Sequence, residues 1–454
     1  MFKARLRKVV TVLLLAVFFI ANLYPAADVR AESNDTNEIL QSTEEVTKNL
    51  GEENGEQSEN GTGEITAEKD SEFRAVWIAY YDFADSKGYD KQQFTSYVGT
   101  MFENVKAWGM NAVVVHVRPF SDAMYKSEYY PWSSYASGTQ GINPGYDPLE
   151  IMVEEAHKRD LEIHAWLNPY RVSTTWLYGT DVSKLSKKNP ARKWLTNKSK
   201  KDDRYVLEYG GALYYNPSIK AVQNLIVNGV KEIVENYDVD GIHFDDYFYP
   251  DLGSAYQTNF DAKEYEKYKS KKLAKGKEPV SIERWRMDNV NTLVKKVYSV
   301  VKSVNSDVIF GISPGGFIDY FDEKERWYVD YRTWMSKKGY IDYICPQLYW
   351  SFNSRNIFPF NETLMKWIAA AKNDNVKVYA GLPAYKMNEK NAISSLDPLT
   401  DTEWYNQYLL ADMVSYVRRS GRASGFIVFD YSDLIEAKNS QVVENLTREC
   451  LLAG

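Results

Sequence analysis

The stretch Asp240-Gly241-Ile242-His243-Phe244-Asp245-Asp246-Tyr247-Phe248-Tyr249-Pro250 puts two adjacent carboxylates at the end of a short β-rich run, with aromatic residues directly after them. Apolar strand residues build a core, but paired aspartates at a strand's carboxyl end do not. In parallel α/β folds that end is where ligands bind and reactions occur. Cleaving a glycosidic bond takes one carboxylic acid to protonate the leaving oxygen and, as a rule, a second carboxylate as base or nucleophile. Flat aromatic faces suit the apolar face of a pyranose. These residue types therefore point to glycan chemistry, with Asp245 as the leading catalytic candidate and Asp246 as the second. Adjacent side chains on a regular strand point opposite ways. Asp246 reaches the same space as Asp245 only if the strand has ended, which Tyr247 to Pro250 permit. Asp430 and Asp82 are alternative partners for Asp245.

Such residues need a scaffold that gathers strand ends. From Phe73 onward, apolar runs of strand length alternate with helical periodicity. Strands are expected at Phe73–Tyr81, Asn111–Pro119, Glu162–Pro169, the motif above, Val308–Ser313, Ile341–Leu348, Val376–Leu382 and Gly425–Phe429. Helices are expected near Lys91–Trp108, Pro148–Arg159, Ile219–Asn236, Ile282–Val304, Tyr328–Lys338, Glu362–Asn373, Glu403–Ser420 and Val442–Leu451. Eight βα units over residues 72–454 predict an α/β fold, a (β/α)8 TIM barrel with enlarged βα loops. No Gly-x-Gly-x-x-Gly follows the first strand and no Walker-type loop occurs, which argues against an open doubly wound sheet.

Alternation along each strand separates barrel-facing from helix-facing positions. It turns His116 and Arg118 inward on the second strand, His164, Trp166 and Asn168 on the third, His243, Asp245 and Tyr247 on the fourth, and Cys345, Gln347 and Tyr349 on the sixth. A purely structural interior would put Val, Ile and Leu at such positions. Arg118 is expected to bind a substrate carboxylate or to hold Asp245 ionised. Trp77, Trp166, Tyr170, Tyr349, Trp350 and Tyr385 are candidates for stacking on sugar rings, and Asp430 is a further substrate-binding candidate. His116, His164 and His243 share inward parity on neighbouring strands. They either hydrogen-bond sugar hydroxyls and steady the carboxylates or form a metal site. No HxH or HExxH spacing favours the metal, so neither metal nor cofactor is expected.

Composition limits the setting. Aromatic residues are 15% of 454, with 35 Tyr and 12 Trp, which suits a protein that handles carbohydrate. Lys3, Arg5, Arg7 and Lys8 precede an almost wholly apolar run from Val9 to Ala21, the pattern of an export signal ending at Ala31. The apolar run is short for a membrane span, so no stable span is expected after cleavage. Residues 32–71 read as a disordered acidic linker; residues 32–70 hold 12 Asp or Glu against 2 Lys and no aromatic residue. Of the net charge of −7, residues 1–31 carry +4 and residues 32–70 carry −10, leaving −1 for the rest. Nothing in that total calls for nucleic acid. Cys345 and Cys450 make no disulfide framework. The expectation is a secreted, monomeric protein, released or held loosely at the cell wall, whose partner is a polysaccharide.

Phe73-Arg74-Ala75-Val76-Trp77-Ile78, Val115-His116-Val117-Arg118-Pro119, His164-Ala165-Trp166-Leu167-Asn168-Pro169-Tyr170, Asp240 to Tyr247 and Pro346-Gln347-Leu348-Tyr349-Trp350 together resemble the glycosyl-hydrolase-like 10 family of secreted bacterial proteins. The resemblance runs from about Glu72 to about Asn439. It implies a (β/α)8 barrel and hydrolysis of β-1,4-linked amino-sugar glycan, with peptidoglycan strands stripped of their peptides as the expected substrate. A more distant likeness is to family 18 chitinases, whose fourth strand reads Asp-Gly-x-Asp-x-Asp-x-Glu. Here His243 replaces an Asp and Tyr247 stands where the acid Glu would be. If catalysis runs through the substrate's N-acetyl group, that likeness implies that Asp245 orients the acetamide, Tyr349 assists and Asp246 is the acid. The rival readings are a catalytically silent barrel that binds wall glycan and a metal-dependent polysaccharide deacetylase.

Overall fold

The computed structural model describes residues 72–246, 248–324, 326–354, 358–388 and 401–452. The expected signal segment, the acidic linker and Tyr247 lie outside the described residues.

Eight parallel strands close into a barrel in chain order, the last, Gly425–Phe429, pairing with the first, Phe73–Ile78. They are β1 (Phe73–Ile78), β2 (Ala112–Arg118), β3 (Glu162–Leu167), β6 (Gly241–Phe244), β7 (Ile309–Ile312), β8 (Tyr343–Ile344), β9 (Lys377–Pro383) and β10 (Gly425–Phe429). An antiparallel hairpin, β4 (Val206–Tyr209) with β5 (Ala212–Tyr215), occupies the insertion after β3. Each barrel strand is followed by at least one helix of the outer layer. These are α1 (Lys91–Ala107), α2 (Pro148–His157), α3 (Lys220–Asn236), α4 (Ala262–Leu273), α5 (Ile282–Val304), α6 (Tyr331–Ser336), α7 (Phe360–Ala370), α8 (Leu409–Arg419) and α9 (Ser440–Leu451), with α4 and α5 both after β6.

The strands are buried on both faces, so they read as near-continuous apolar runs, as all-parallel sheets do. Phe73, Ala75, Trp77, Ala112, Val114, Trp166, Tyr343, Cys345, Tyr379 and Ile427 pack into one cluster, which is the barrel interior. Their alternates join the larger layer between strands and helices. Two glycines make the interior possible. A Cβ on Gly311 would meet the Tyr343 ring at 2.1 Å, and one on Gly241 would meet the His164 ring at 2.7 Å. Only a residue without a side chain lets those rings lie across the strands.

The eighth strand appears where expected. The sixth is much shorter: β8 stops at Ile344, because Pro346 has no N–H for the ladder. Beyond it only single bridges link Gly315 to Gln347 and Gln347 to Gly381. The first strand gives way at Tyr80 to a turn of 3-10 helix, Tyr80–Phe83. The β4–β5 hairpin and α4 were not anticipated. The sequence of α4, AKEYEKYKSKKL, has no apolar stripe, and only Ala262 and Glu264 of it are buried. Both cysteines are buried and free. Among the described residues, no helix is long and apolar enough to cross a membrane.

Candidate active site

β6 ends at Phe244, and the backbone leaves strand geometry at Asp245 and Asp246. That break lets two adjacent carboxylates share one space at the barrel mouth. The Asp246 backbone N–H donates to Asp245 Oδ1 at 2.8 Å, and Gln347 Nε2 approaches the same oxygen at 3.3 Å while donating to the Ser313 carbonyl at 3.2 Å. The two carboxyl side chains also hydrogen-bond each other. Two carboxylates in contact cannot both ionise cheaply, so the pair holds one proton and titrates as a unit. Burial, and then the charge of Asp245, pushes Asp246 well above the usual carboxylate range. Burial raises Asp245 too, but hydrogen bonds from Asp246 and the positive charge of Arg171 hold it back. The arrangement therefore keeps the proton on Asp246 and the negative charge on Asp245.

The arginine that serves this pair is Arg171, which the sequence reading missed; Arg118 does not serve it. The β2–β3 register shifts after His116. His116 pairs with Trp166 and Arg118 with Leu167, leaving Val117 as an extra residue. A bulge of this kind reverses the alternation beyond it. Arg118 consequently faces α3, where a Cβ on Gly229 would come within 2.6 Å of its Nη1, and it lies 4.6 Å over the Tyr130 ring. Arg171 follows the carboxyl end of β3, one residue beyond the stretch quoted for that strand. It is buried, its Nε donates to the Pro119 carbonyl at 3.2 Å, and its charge reaches Asp245, Asp246 and His116. An arginine just past a strand's carboxyl end was the available signal.

Because the Arg171 charge lowers both aspartate pKa values, Arg171→Met is expected to raise both. The pH profile of turnover then moves as a whole toward higher pH: Asp245 stays protonated to a higher pH on the acid limb, and Asp246 keeps its proton longer on the basic limb. Rate profiles of wild type and variant check this. A profile shifted downward, or unmoved, would dissociate Arg171 from the pair.

The three histidines do not converge. Trp77 Nε1 can only donate, so His243 Nε2 accepts from it at 3.2 Å. The His243 proton then sits on Nδ1 and goes to Tyr343 Oη at 2.9 Å, and the Tyr343 hydroxyl donates on to His164 Nδ1 at 3.0 Å. Burial holds His243 well below its ordinary pKa, so the ring is neutral. His164 lies lower in the barrel, with Glu162 at the start of β3 3.7 Å from its Nε2. Both were expected to contact substrate. Both are fully enclosed and linked through Tyr343, so they support the floor of the site instead. His116 stacks on Trp166 with centroids 3.7 Å apart. Burial, with the Arg171 charge adding, keeps His116 neutral as well. Among the described residues, no three His, Cys, Asp or Glu side chains are grouped to hold a metal.

The His116 ring nitrogens, Trp166 Nε1, Asn168 Oδ1, Tyr80 Oη and Ser313 Oγ are buried without a protein hydrogen-bond partner. Unpartnered buried polar atoms are costly and few in native proteins. Tyr80 stands 5.4 Å from His116 and feels the Asp245 charge, and the Ser313 carbonyl anchors Gln347. Tyr80 and Ser313 thus border the carboxylate pair, and all of these atoms are enclosed by protein. Tyr349 stands on the opposite side, edge-on to Tyr385 at 5.6 Å; burial raises its hydroxyl pKa, and the charges of both aspartates contribute. Trp350 is half-buried against Phe358 at 5.0 Å. Two further expectations need correction. Tyr170 is completely enclosed and has no face to offer a ligand. Asp430 caps the short helix Tyr431–Leu434 and accepts hydrogen bonds from Tyr81, Ser432 and the Asp433 N–H, so its oxygens are already used. Asp82 is likewise committed, accepting from the Ala79 N–H at 2.7 Å.

A closed parallel (β/α)8 barrel whose acidic pair lies beyond the carboxyl end of its fourth strand is a TIM barrel with its polar site on the face where enzymes of that fold carry out their reactions. The catalytic domain of a β-amylase from Paenibacillus polymyxa shares the fold, with a TM-score of 0.52 at 12% identity, covering 85% of this chain and 100% of that one. The chain belongs to the glycosyl hydrolase-like 10 family, whose model matches residues 72–396. It is 40% identical over 375 residues to glycosyl hydrolase YngK of Bacillus subtilis (strain 168), covering 78% of this chain and 68% of that one. It is 34% identical over 315 residues to glycosyl hydrolase DigH of Escherichia coli (strain K12), covering 64% and 66%. The chain thus spans about two thirds of the length of each relative.

Proposed function

We propose that this protein is a secreted glycoside hydrolase that cleaves β-1,4-linked amino-sugar glycan, namely cell-wall peptidoglycan strands freed of their peptides. The observation that carries the reading is the proton-sharing pair Asp245–Asp246 at the barrel mouth, which keeps an acid and an anion side by side. A pair of carboxyl groups in hydrogen-bond contact is far closer than the ~5–5.5 Å of a retaining acid–nucleophile pair or the wider gap of an inverting pair. The two aspartates therefore divide the work differently. Asp246 protonates the glycosidic oxygen as it leaves. Asp245 stays charged and orients and stabilises the group that attacks the anomeric carbon. The substrate's own N-acetyl oxygen fits that role, and Tyr349 stands near enough to both aspartates to steady it.

Incubating the purified protein with peptidoglycan, with and without prior amidase treatment, tests the substrate. Soluble oligosaccharides are expected from the amidase-treated wall and not from the untreated one, and mass spectrometry of their reducing ends identifies the bond. If neither preparation releases sugar while both adsorb the protein, the barrel binds wall glycan without cutting it.

A further inference from the structure

The near-neutral charge of the barrel hides a local concentration of lysine. Residues 262–277 contain seven Lys and two Glu. They form α4 and its continuation, which pack beside the amino end of α5 and face residues 200–204 of the insertion after β3. Between these elements lies a groove of about 720 Å³ on the strand-carboxyl side of the barrel. Its acidic lining residue, Glu264, is consumed by Arg204 at 2.6 Å, with Lys267 at 3.8 Å. Lys201, Lys271, Lys272, Lys275 and Lys277 line the same groove and make no ion pair among the described residues. All are exposed except Lys272, which is half-buried with its ammonium 5.4 Å over the Tyr268 ring. Like charges gathered this closely repel one another, and an anionic ligand relieves that repulsion.

We infer that this groove is a binding site for a linear polyanionic glycan, separate from the Asp245–Asp246 mouth. Only the choice of polymer rests on the proposed function. The unpaired cations are all lysines, which act as point charges and match a series of spaced anions. The one arginine of the groove has its planar fork occupied by Glu264, so bidentate reading of a nucleic-acid backbone or base edge is not available. Tyr268 and Trp285 line the apolar side, but Trp285 is 8% exposed, so successive bases have no stacking platform. One half-buried aromatic face among several charges suits a sugar ring bearing an acid group.

The test measures binding without turnover. The purified full chain is passed over immobilised polygalacturonate, which carries a carboxylate on each sugar, and over its methyl ester, which has the same backbone without charge. Polygalacturonate is expected to bind at low salt, with affinity falling as salt rises, and the ester to bind at least about tenfold more weakly. Lys271→Glu/Lys272→Glu/Lys275→Glu/Lys277→Glu is expected to weaken polygalacturonate binding by about tenfold or more. The milder set of Lys→Gln changes at the same positions should fall between. Asp245→Asn is expected to bind as wild type does, so a failed hydrolase reading leaves this result standing. Equal binding of acid and ester, no binding of either, or full binding by the charge-reversed protein would overturn the inference. Displacement of polygalacturonate by single-stranded DNA at a tenfold lower concentration would reassign the groove to nucleic acid.

Discussion

Asp246→Asn is expected to lose at least about 100-fold, and up to about 10,000-fold, in turnover of glycan, while keeping most of its activity on an aryl glycoside whose phenol leaves without help. The range is the usual contribution of a positioned general acid. The amide preserves size and hydrogen bonding but has no proton to give, so the loss appears only where the leaving oxygen needs one. Asp245→Asn is expected to fail on both substrates. The anion at Asp245 acts on the attacking group, whichever group departs, and neutralising it also removes the charge that raises Asp246. Asp246 would then lose its proton at lower pH, and any residual activity of Asp245→Asn should have its basic limb moved downward. The measurement is kcat/KM on both substrates across pH. Equal losses for the two variants on both substrates would remove the division of roles and leave a dyad with no assigned acid.

The outline of that site was legible in the sequence because a barrel interior obeys alternation. His243, Asp245, Trp166 and Gln347 all fall on the side that parity assigns them. Alternation failed where the backbone departs from a regular strand. One extra residue at Val117 sent Arg118 to the helix layer, and the pattern Val-His-Val-Arg-Pro carries no mark of that bulge. Arg171 was missed for the opposite reason: it lies past the strand, where parity has nothing to say and only the chain's turn after Pro169 decides its direction. Proximity in the barrel also proved insufficient as evidence of contact with a ligand. His116, His164 and His243 lie on neighbouring strands, yet Trp77 and Tyr343 occupy both nitrogens of His243, and Tyr343 also takes Nδ1 of His164. Those partners come from the first and sixth strands, and no local pattern announces such pairings. Helix α4 escaped because its packing is slight and its residues mostly face solvent, so the periodicity that reveals buried helices was absent.

Asp261→Ala is expected to destabilise the protein by about 3–5 kcal/mol, the range for removing one partner of a buried ion pair. Asp261 and Arg286 are fully buried, with Nε 2.8 Å from Oδ1. Tyr249 donates its hydroxyl to the other Asp261 oxygen at 2.9 Å, and Arg286 donates to Tyr328 Oη at 2.7 Å and to the Tyr256 carbonyl at 2.9 Å. The pair thus ties the segment just beyond Asp246 to the second turn of α5. Without the carboxylate, Arg286 is left as a buried charge with only neutral acceptors, and Tyr249 loses its anchor three residues from the catalytic pair. Two consequences should separate in denaturant. The Tyr249 segment should loosen first, so activity should fall at a lower urea concentration than the helical signal, whereas wild type should lose both together. The double change Asp261→Leu with Arg286→Met exchanges the ion pair for apolar contact and should recover much of the stability, because a buried pair replaced as a unit leaves no stranded charge. It should not recover activity, since the Tyr249 hydroxyl still has no carboxylate to hold it. If the double variant regains turnover along with stability, the pair serves the fold alone and the aspartates are positioned without it.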